Sequence, residues 1–366
     1  MKERKKIKKV LVAPLDWGLG HTTRCIPIIK ALQQNGCAVV VAGNAVQRQL
    51  LQQELTNVDY WHLDGYHIRY SKYWWWLPFE LAKQIPKIVR TIVREHGWLQ
   101  KQVATHNIDL VISDNRFGLF SKKTHCVFIT HQLTIKTPIA TVEKWLRRIN
   151  FWFIEQYDAC WIPDSEQQPS LAGVLSHPPL LPRIPVVYLG LLSRFPVPPL
   201  PLPILYDYCF ALSGPEPQRT LLENTILEQV ANIPGRILLV RGLPNQPTTA
   251  TVENNVTLVP HLSGQALLLA FAQSRLVICR SGYTTVMELV TLQKKALLIP
   301  TPGQTEQAYL AQYLHELGWF VSVQQHQLNL SVHLPEALAS VHTTTSLPVF
   351  NQTILPTCFN SLYQAS

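Results

Sequence analysis

Short apolar runs alternate with longer amphipathic stretches along the first half of the chain. Lys9 to Pro14, Ala38 to Ala42, Val58 to Leu63, Asp109 to Ser113, Cys126 to Thr130, Ala159 to Pro163 and Val186 to Leu189 read as buried strands. Helical spacing lies between several of them, most clearly over His21 to Gln34 and Phe79 to Ala104. Runs rich in Val, Leu and Ile, separated by helices, predict a parallel sheet covered on both faces.

Nine prolines fall between Pro178 and Pro203. Proline fixes its backbone and donates no N–H, so this stretch makes neither helix nor central strand and reads as an extended connector. The pattern then restarts. Strands are expected at Tyr208 to Leu212, Arg236 to Val240, Val256 to Val259, Leu276 to Arg280 and Ala296 to Pro300. Helices are expected near Pro217 to Ala231, Ser263 to Gln273, Gly282 to Leu292 and Thr305 to Leu317. The fold class is α/β, with two doubly wound Rossmann-like domains that would face one another across a cleft at their strand carboxyl ends. The expected boundaries are an N-terminal domain over 1–190, a linker over 191–206, a C-terminal domain over 207–345, and a tail over 346–366 with a weak helical pattern.

Composition narrows the picture. A chain of 366 residues, 47% hydrophobic and 15% charged, has enough apolar surface for two packed cores. The net charge of +9, with six basic residues among the first nine, favours phosphate ligands or anionic surfaces. Seven scattered cysteines without a CxxC pair read as reduced core thiols and point to the cytosol. The apolar stretch from Val10 is interrupted by Pro14 and ends at Asp16, too short for a secretory signal, and no apolar run approaches the ~18 residues of a spanning helix. A cytoplasmic protein, peripheral on a membrane at most, is expected.

The stretch from Cys279 to Leu289 carries the most chemistry. The strand Leu276-Val277-Ile278-Cys279 runs into Arg280-Ser281-Gly282, where Ser281 is placed to cap the helix that Gly282 opens. Free N–H groups and the positive end of the helix dipole suit a phosphate there. Glu288, about two turns further in, suits a ribose diol. The segment reads as half of a nucleotide site.

A second loop, Leu15-Asp16-Trp17-Gly18-Leu19-Gly20-His21-Thr22-Thr23-Arg24, closes the first strand. It lacks the third glycine of a dinucleotide fingerprint, and Ala42-Gly43-Asn44 stands where an acidic ribose ligand belongs, which disfavours NAD. Gly18, Gly20, Thr22 and Arg24 would line the open side of this loop. Four residues compete as general base: His21, Asp16, Asp114 and His131. His21 is favoured because its motif sits at a strand end. The purely structural alternatives are a turn for the glycines, a helix cap for His21, an Asx turn for Asp114 and a satisfied core histidine for His131.

Gly18-Leu19-Gly20-His21, together with Arg280-Ser281-Gly282-x-Thr284-Thr285-x-x-Glu288-Leu289, resembles the GT-B glycosyltransferases of family 28. That family includes the enzyme adding N-acetylglucosamine to the lipid-linked peptidoglycan precursor and the plant galactolipid synthases. The resemblance implies a UDP-sugar as co-substrate in the C-terminal domain, an acceptor in the N-terminal domain, inversion at the anomeric carbon, and neither metal nor cofactor. It assigns the ribose to Glu288, and the diphosphate to Ser281, Gly282, Thr284 and Thr285 with Arg280 near it. The same resemblance gives the sugar hydroxyls to Glu306 and Gln307 and a partial diphosphate loop to Ser213 and Gly214. Pro215 and Leu310 depart from the family pattern.

Tyr70, Tyr73, Trp74, Trp75, Trp76 and Phe79 precede a helix carrying Lys83, Lys87, Arg90 and Arg94. Aromatics beside a basic amphipathic helix suit an anionic lipid interface, which fits a lipid-linked acceptor; an inward-packed apolar stripe of Ile85, Ile88, Val89, Ile92 and Val93 is the alternative. The function expected is an inverting, metal-independent transfer from a UDP-sugar, with UDP-GlcNAc or a UDP-hexose as donor, to a lipid-linked or other envelope acceptor. A nucleotide-sugar hydrolase or 2-epimerase of the same fold is the second reading, and a non-catalytic UDP-sugar binder the third. Nucleic-acid binding is not expected, because the basic residues are not interleaved with stacking aromatics outside the Trp74 region.

Overall fold

The computed structural model describes residues 7–66, 77–137, 139–195, 202–244, 246, 249–340 and 347–363, with no side-chain account for 77–82. The Trp74 to Trp76 run and residues 196–201 of the proline-rich stretch therefore lie outside the described residues. The chain divides into two compact units, one holding residues 79–194 and 348 onward together with the N-terminal segment, the other holding 195–347.

The first unit contains, in order, β1 (Lys9–Pro14), α1 (Leu19–Gln34), β2 (Ala38–Gly43), α2 (Ala45–Glu54), β3 (Asp59–His62), α3 (Leu77–His106), β4 (Leu110–Asp114), β5 (His125–Ile129), α4 (Ala140–Ile154), β6 (Ala159–Ile162) and β7 (Val186–Tyr188). The second contains β8 (Tyr206–Ala211), α5 (Gln218–Val230), β9 (Ile237–Val240), β10 (Thr251–Glu253), β11 (Val256–Val259), α6 (Gly264–Ala272), β12 (Ser274–Cys279), α7 (Tyr283–Thr291), β13 (Ala296–Leu298), α8 (Thr305–Glu316), β14 (Val321–Ser322) and α9 (Leu330–Ala339). The tail forms a short helix, α10 (Leu355–Ser361).

The first sheet runs β3-β2-β1-β4-β5-β6-β7 and is parallel throughout, with Val10 beside both Val39 and Leu110. The second runs β10-β11-β9-β8-β12-β13-β14 and is parallel except at the β10–β11 edge. Each expected strand forms; the inner strands are apolar runs buried on both faces, while the edge strands β3 and β7 stay partly exposed. The pattern missed α2, α4, α9, β10 and β14. β10 is exposed and β14 spans two residues, so neither carries a periodic apolar signal.

In both sheets the first strand sits inside the order with its successors on either side. The switch points are therefore β1/β4 and β8/β12, where diverging connections open a crevice for a ligand. The first unit continues to Arg194, because Leu191 donates to Pro348 O at 2.8 Å and Phe350 donates back to Leu191 O at 3.0 Å. That parallel bridge ties the tail to the first unit. All seven cysteines are buried free thiols.

Candidate functional site

At the β1/β4 switch point Pro14 lies beside Asp114, and Leu15 N donates to Asp114 O at 3.0 Å. The chain turns at Gly18, with φ at 81°, into α1, which opens without a side-chain cap. His21 then faces Asp114, its Nδ1 3.1 Å from Oδ1. Arg24, one turn on, donates Nε to Asp114 Oδ2 at 2.8 Å, a terminal nitrogen to Oδ1, and its other terminal nitrogen to His131 Nδ1 at 3.0 Å. Three of the four base candidates and Arg24 thus form one buried chain.

The electrostatics separate their roles. Burial alone would raise the Asp114 carboxyl, but Arg24 and His21 beside it hold it well below the usual carboxylate range. An ionised, fully buried carboxylate accepting from an arginine has no proton to trade at neutral pH. Burial and the Arg24 cation lower the His21 imidazole from its ordinary value against the pull of Asp114. A neutral His21 donating Nδ1–H to Asp114 leaves Nε2 as an acceptor, and this nitrogen makes no hydrogen bond among the described residues. The His21 side chain is 16% exposed, whereas Asp114 is completely buried. His131 is buried and spends Nδ1 on Arg24.

Asp16 has a different task. Its Oδ1 accepts from Tyr66 N at 3.0 Å, and its Oδ2 lies where a Cβ on Gly65 would stand, only 1.8 Å away. The carboxylate thus docks the loop before α1 onto residues 65 and 66. Thr22 and Arg24, expected on an acceptor-side loop, are buried inside α1; Gly18 and Gly20 remain at its open end.

Two supports escaped the sequence reading. Asn44 and Gln47 form a capping box at the start of α2, and Gln47 Nε2 reaches Pro14 O, Leu15 O and Thr22 Oγ1 at 3.0 to 3.2 Å. The spacing Asn-x-x-Gln was the available signal. Glu95 on α3 is buried, pairing with Arg116 at 2.7 Å and accepting from Tyr66 Oη at 2.8 Å. Its place at helical spacing with Ile92 and Leu99 marked it as an inward carboxylate needing a partner.

In the second unit the β8/β12 switch point gathers three loops. Cys279 lies beside both Ala211 and Leu298 in register, so residues 212–214, 280–282 and 299–301 emerge together. The cap of α7 is Gly282, with no side-chain bond; Ser281 instead donates to Gln307 O at 2.8 Å. The first-turn N–H groups of α7 therefore lack both intrahelical acceptors and a capping side chain. Thr284 and Thr285 line that turn half-buried, and Glu288 is buried further along it. Gln307 Oε1 accepts from Thr301 N at 2.8 Å, which leaves its NH2 pointing away from that bond. Glu306 sits half-buried in the same first turn of α8.

Ser213 and Gly214 are exposed, and Gly214 takes φ of 108°. A Cβ there would come within 3.6 Å of Thr301 Oγ1, which is buried and has no hydrogen-bond partner among the described residues. Glu216 caps α5 internally, accepting from Thr220 N at 3.2 Å and Arg219 Nε at 2.6 Å. Unlike α5, α7 opens at this switch point without a capping side chain.

Arg280 does not reach outward as the resemblance implied. It is 1% exposed and donates to Ile299 O, Pro300 O, Gln218 O and Gln325 Oε1 at 2.7 to 3.3 Å. It fastens three segments around the crevice from below. No carboxylate pairs with it among the described residues, and burial lowers it to about 10.

Two seven-stranded, parallel-dominated sheets with polar residues gathered at their switch points define the GT-B class. The second unit is family 28-like: residues 222–346 match the glycosyltransferase family 28 C-terminal domain. A UDP-N-acetylglucosamine–N-acetylmuramyl-(pentapeptide) pyrophosphoryl-undecaprenol N-acetylglucosamine transferase of Histophilus somni is 35% identical over 121 residues, covering 29% of this chain and 32% of that one. The chain thus matches about a third of that relative's length. The glycotransferase of kitacinnamycin aligns over 99% of this chain and 94% of its own, with TM-score 0.62 and 12% identity. MurG of Acinetobacter baumannii aligns over 98% and 95%, with TM-score 0.52 and 16% identity. At such identities the structures speak for the fold.

Proposed function

We propose that this chain is an inverting, metal-independent glycosyltransferase that moves a sugar from a UDP-sugar to a lipid-linked or other envelope acceptor. The observation that carries the reading is the His21–Asp114 hydrogen bond of 3.1 Å at the first switch point. It presents a neutral imidazole whose Nε2 is available to take the proton of an acceptor hydroxyl. As that hydroxyl attacks the anomeric carbon, the sugar–phosphate bond breaks and negative charge builds on the departing UDP. The first turn of α7, with Thr284 and Thr285, supplies donors for that charge, and Glu288 accepts from the ribose hydroxyls. Gln307 and Glu306 are assigned to the sugar hydroxyls. The UDP-sugar preference is supported by the match of residues 222–346 and by the name of the Histophilus relative.

A lipid-linked acceptor is supported by two helix surfaces of the first unit. α3 exposes Ile85, Val89 and Val93 at four-residue steps among Lys83, Lys87, Arg90 and Arg94, so the apolar stripe packs inward only in part. α4 exposes Val142, Trp145 at 61% and Trp152 at 60%, beside Lys144 and Arg148. Bare apolar groups ringed by cations suit an anionic membrane surface. No helix among the described residues is long and apolar enough to cross a membrane.

The test is turnover of UDP-GlcNAc, UDP-glucose and UDP-galactose with lipid extract, after chelation of divalent metals. Stoichiometric UDP release and glycolipid formation, lost in His21→Ala with UDP affinity retained, is the expected result. Free sugar in place of glycolipid identifies a hydrolase, and a changed hexose identifies an epimerase. Full turnover by His21→Ala removes His21 as the base.

A further inference from the structure

Asp114 Oδ1 serves two partners. It accepts from His21 Nδ1 at 3.1 Å and from a terminal nitrogen of Arg24, while Arg24 Nε holds Oδ2 at 2.8 Å. In a carboxylate–imidazole pair by itself, the anion favours the charged imidazolium and makes the ring more basic. Here the guanidinium, buried and permanently charged, occupies both oxygens of the same carboxylate. Asp114 still fixes the ring's orientation and tautomer, but the pair it forms with Arg24 is close to neutral.

The groups facing His21 come from three elements. Arg24 and Cys25 stand on its own helix, Asp114 on β4 and His131 on the loop after β5. Of these, only Arg24 carries a permanent positive charge. His131 Nδ1 lies 3.0 Å from an Arg24 terminal nitrogen, and its charge, like that of Arg24, acts to lower His21.

We propose that Arg24 is a positioning residue that keeps His21 oriented yet uncharged, by sharing Asp114 with it. This inference rests on the reading of His21 as the general base. Arg24 touches no reacting atom. It separates two properties that a carboxylate normally couples, namely the direction of the imidazole and its basicity. A base so held stays ready as pH falls below neutrality.

The experiment is a two-dimensional NMR titration of His21 in the full chain, in wild type, Arg24→Met and Arg24→Lys, beside the pH profile of kcat/KM. In wild type His21 titrates below its ordinary ~6.5. Arg24→Met moves that titration upward by roughly one to two units, the scale of one close charge, and the acid limb of kcat/KM follows it. Arg24→Lys, which keeps the charge, titrates near wild type. A merely structural Arg24 would lower kcat at every pH and leave the limb in place, which overturns the proposal. So does a wild-type His21 titrating above ~6.5, a measurement that stands even where Arg24→Met fails to fold. The titration reads the Arg24–His21 coupling without turnover, so it is decided separately from the catalytic role of His21.

Discussion

The Ser281 hydroxyl donates to the backbone carbonyl of Gln307 at 2.8 Å, joining the open end of α7 to the first turn of α8. A residue placed by sequence to cap α7 instead fixes the spacing between the proposed diphosphate and sugar contacts. Ser281→Ala removes the tie and keeps the helix. UDP-sugar affinity should fall by about 1 kcal/mol, the worth of one such bond, and UDP affinity by less. Calorimetric titration with both ligands checks this; equal losses for the two would place Ser281 at the diphosphate.

Asp114→Asn keeps the shape of the side chain and removes its charge. Arg24 is left as a buried cation without its counter-ion, and an NH2 donor replaces one of the two oxygens that accept from Arg24 and His21. Stability should drop by about 3 to 5 kcal/mol, the cost of breaking a buried pair. The folded fraction should turn over about 100-fold or more slowly. Denaturant unfolding and single-turnover rates measure the two effects separately.

Arg280 gives the opposite balance. Its hydrogen bonds are to uncharged acceptors, so Arg280→Met leaves four of them bare and also relieves a buried charge. The net effect expected is a destabilisation of about 1 to 3 kcal/mol. Loosening of residues 299–301 should accompany it, seen as faster amide exchange there. A variant as stable as wild type but unable to bind UDP would mean that Arg280 contacts the ligand directly.

Trp145 and Trp152 project from α4 with no large burial of their own. Replacing both with Ser should weaken binding to vesicles containing anionic lipid by roughly tenfold or more, with thermal stability unchanged. Added salt should weaken the remaining binding through screening of Lys144 and Arg148. Unaltered vesicle binding would move the lipid contact to α3, which Val89→Ser and Val93→Ser address in the same assay.

Much of the fold is legible in the amino-acid pattern. The inner strands of both sheets can be read because apolar runs between helices favour a parallel sheet buried on both faces. The chemistry-bearing loops can be placed because glycines and polar residues follow those runs directly. α4 goes unread although its two faces contrast as strongly as those of α3, and only the fold shows that Val142, Trp145 and Trp152 stand on its exposed side. Gln47 and Glu95 are legible in spacing alone, and only their partners give them meaning.

The sequence by itself determined where strands end and which residue types stand there, because hydrophobic periodicity is a local property of the chain. Tertiary structure decided what each polar side chain does. Arg280 turned inward because the carbonyls of 218, 299 and 300 converge beneath it. Arg24 became the partner of Asp114 because register sets Pro14 beside that carboxylate. A buried polar group must find its complement among residues far away in sequence, and that choice exists only once the strands are paired.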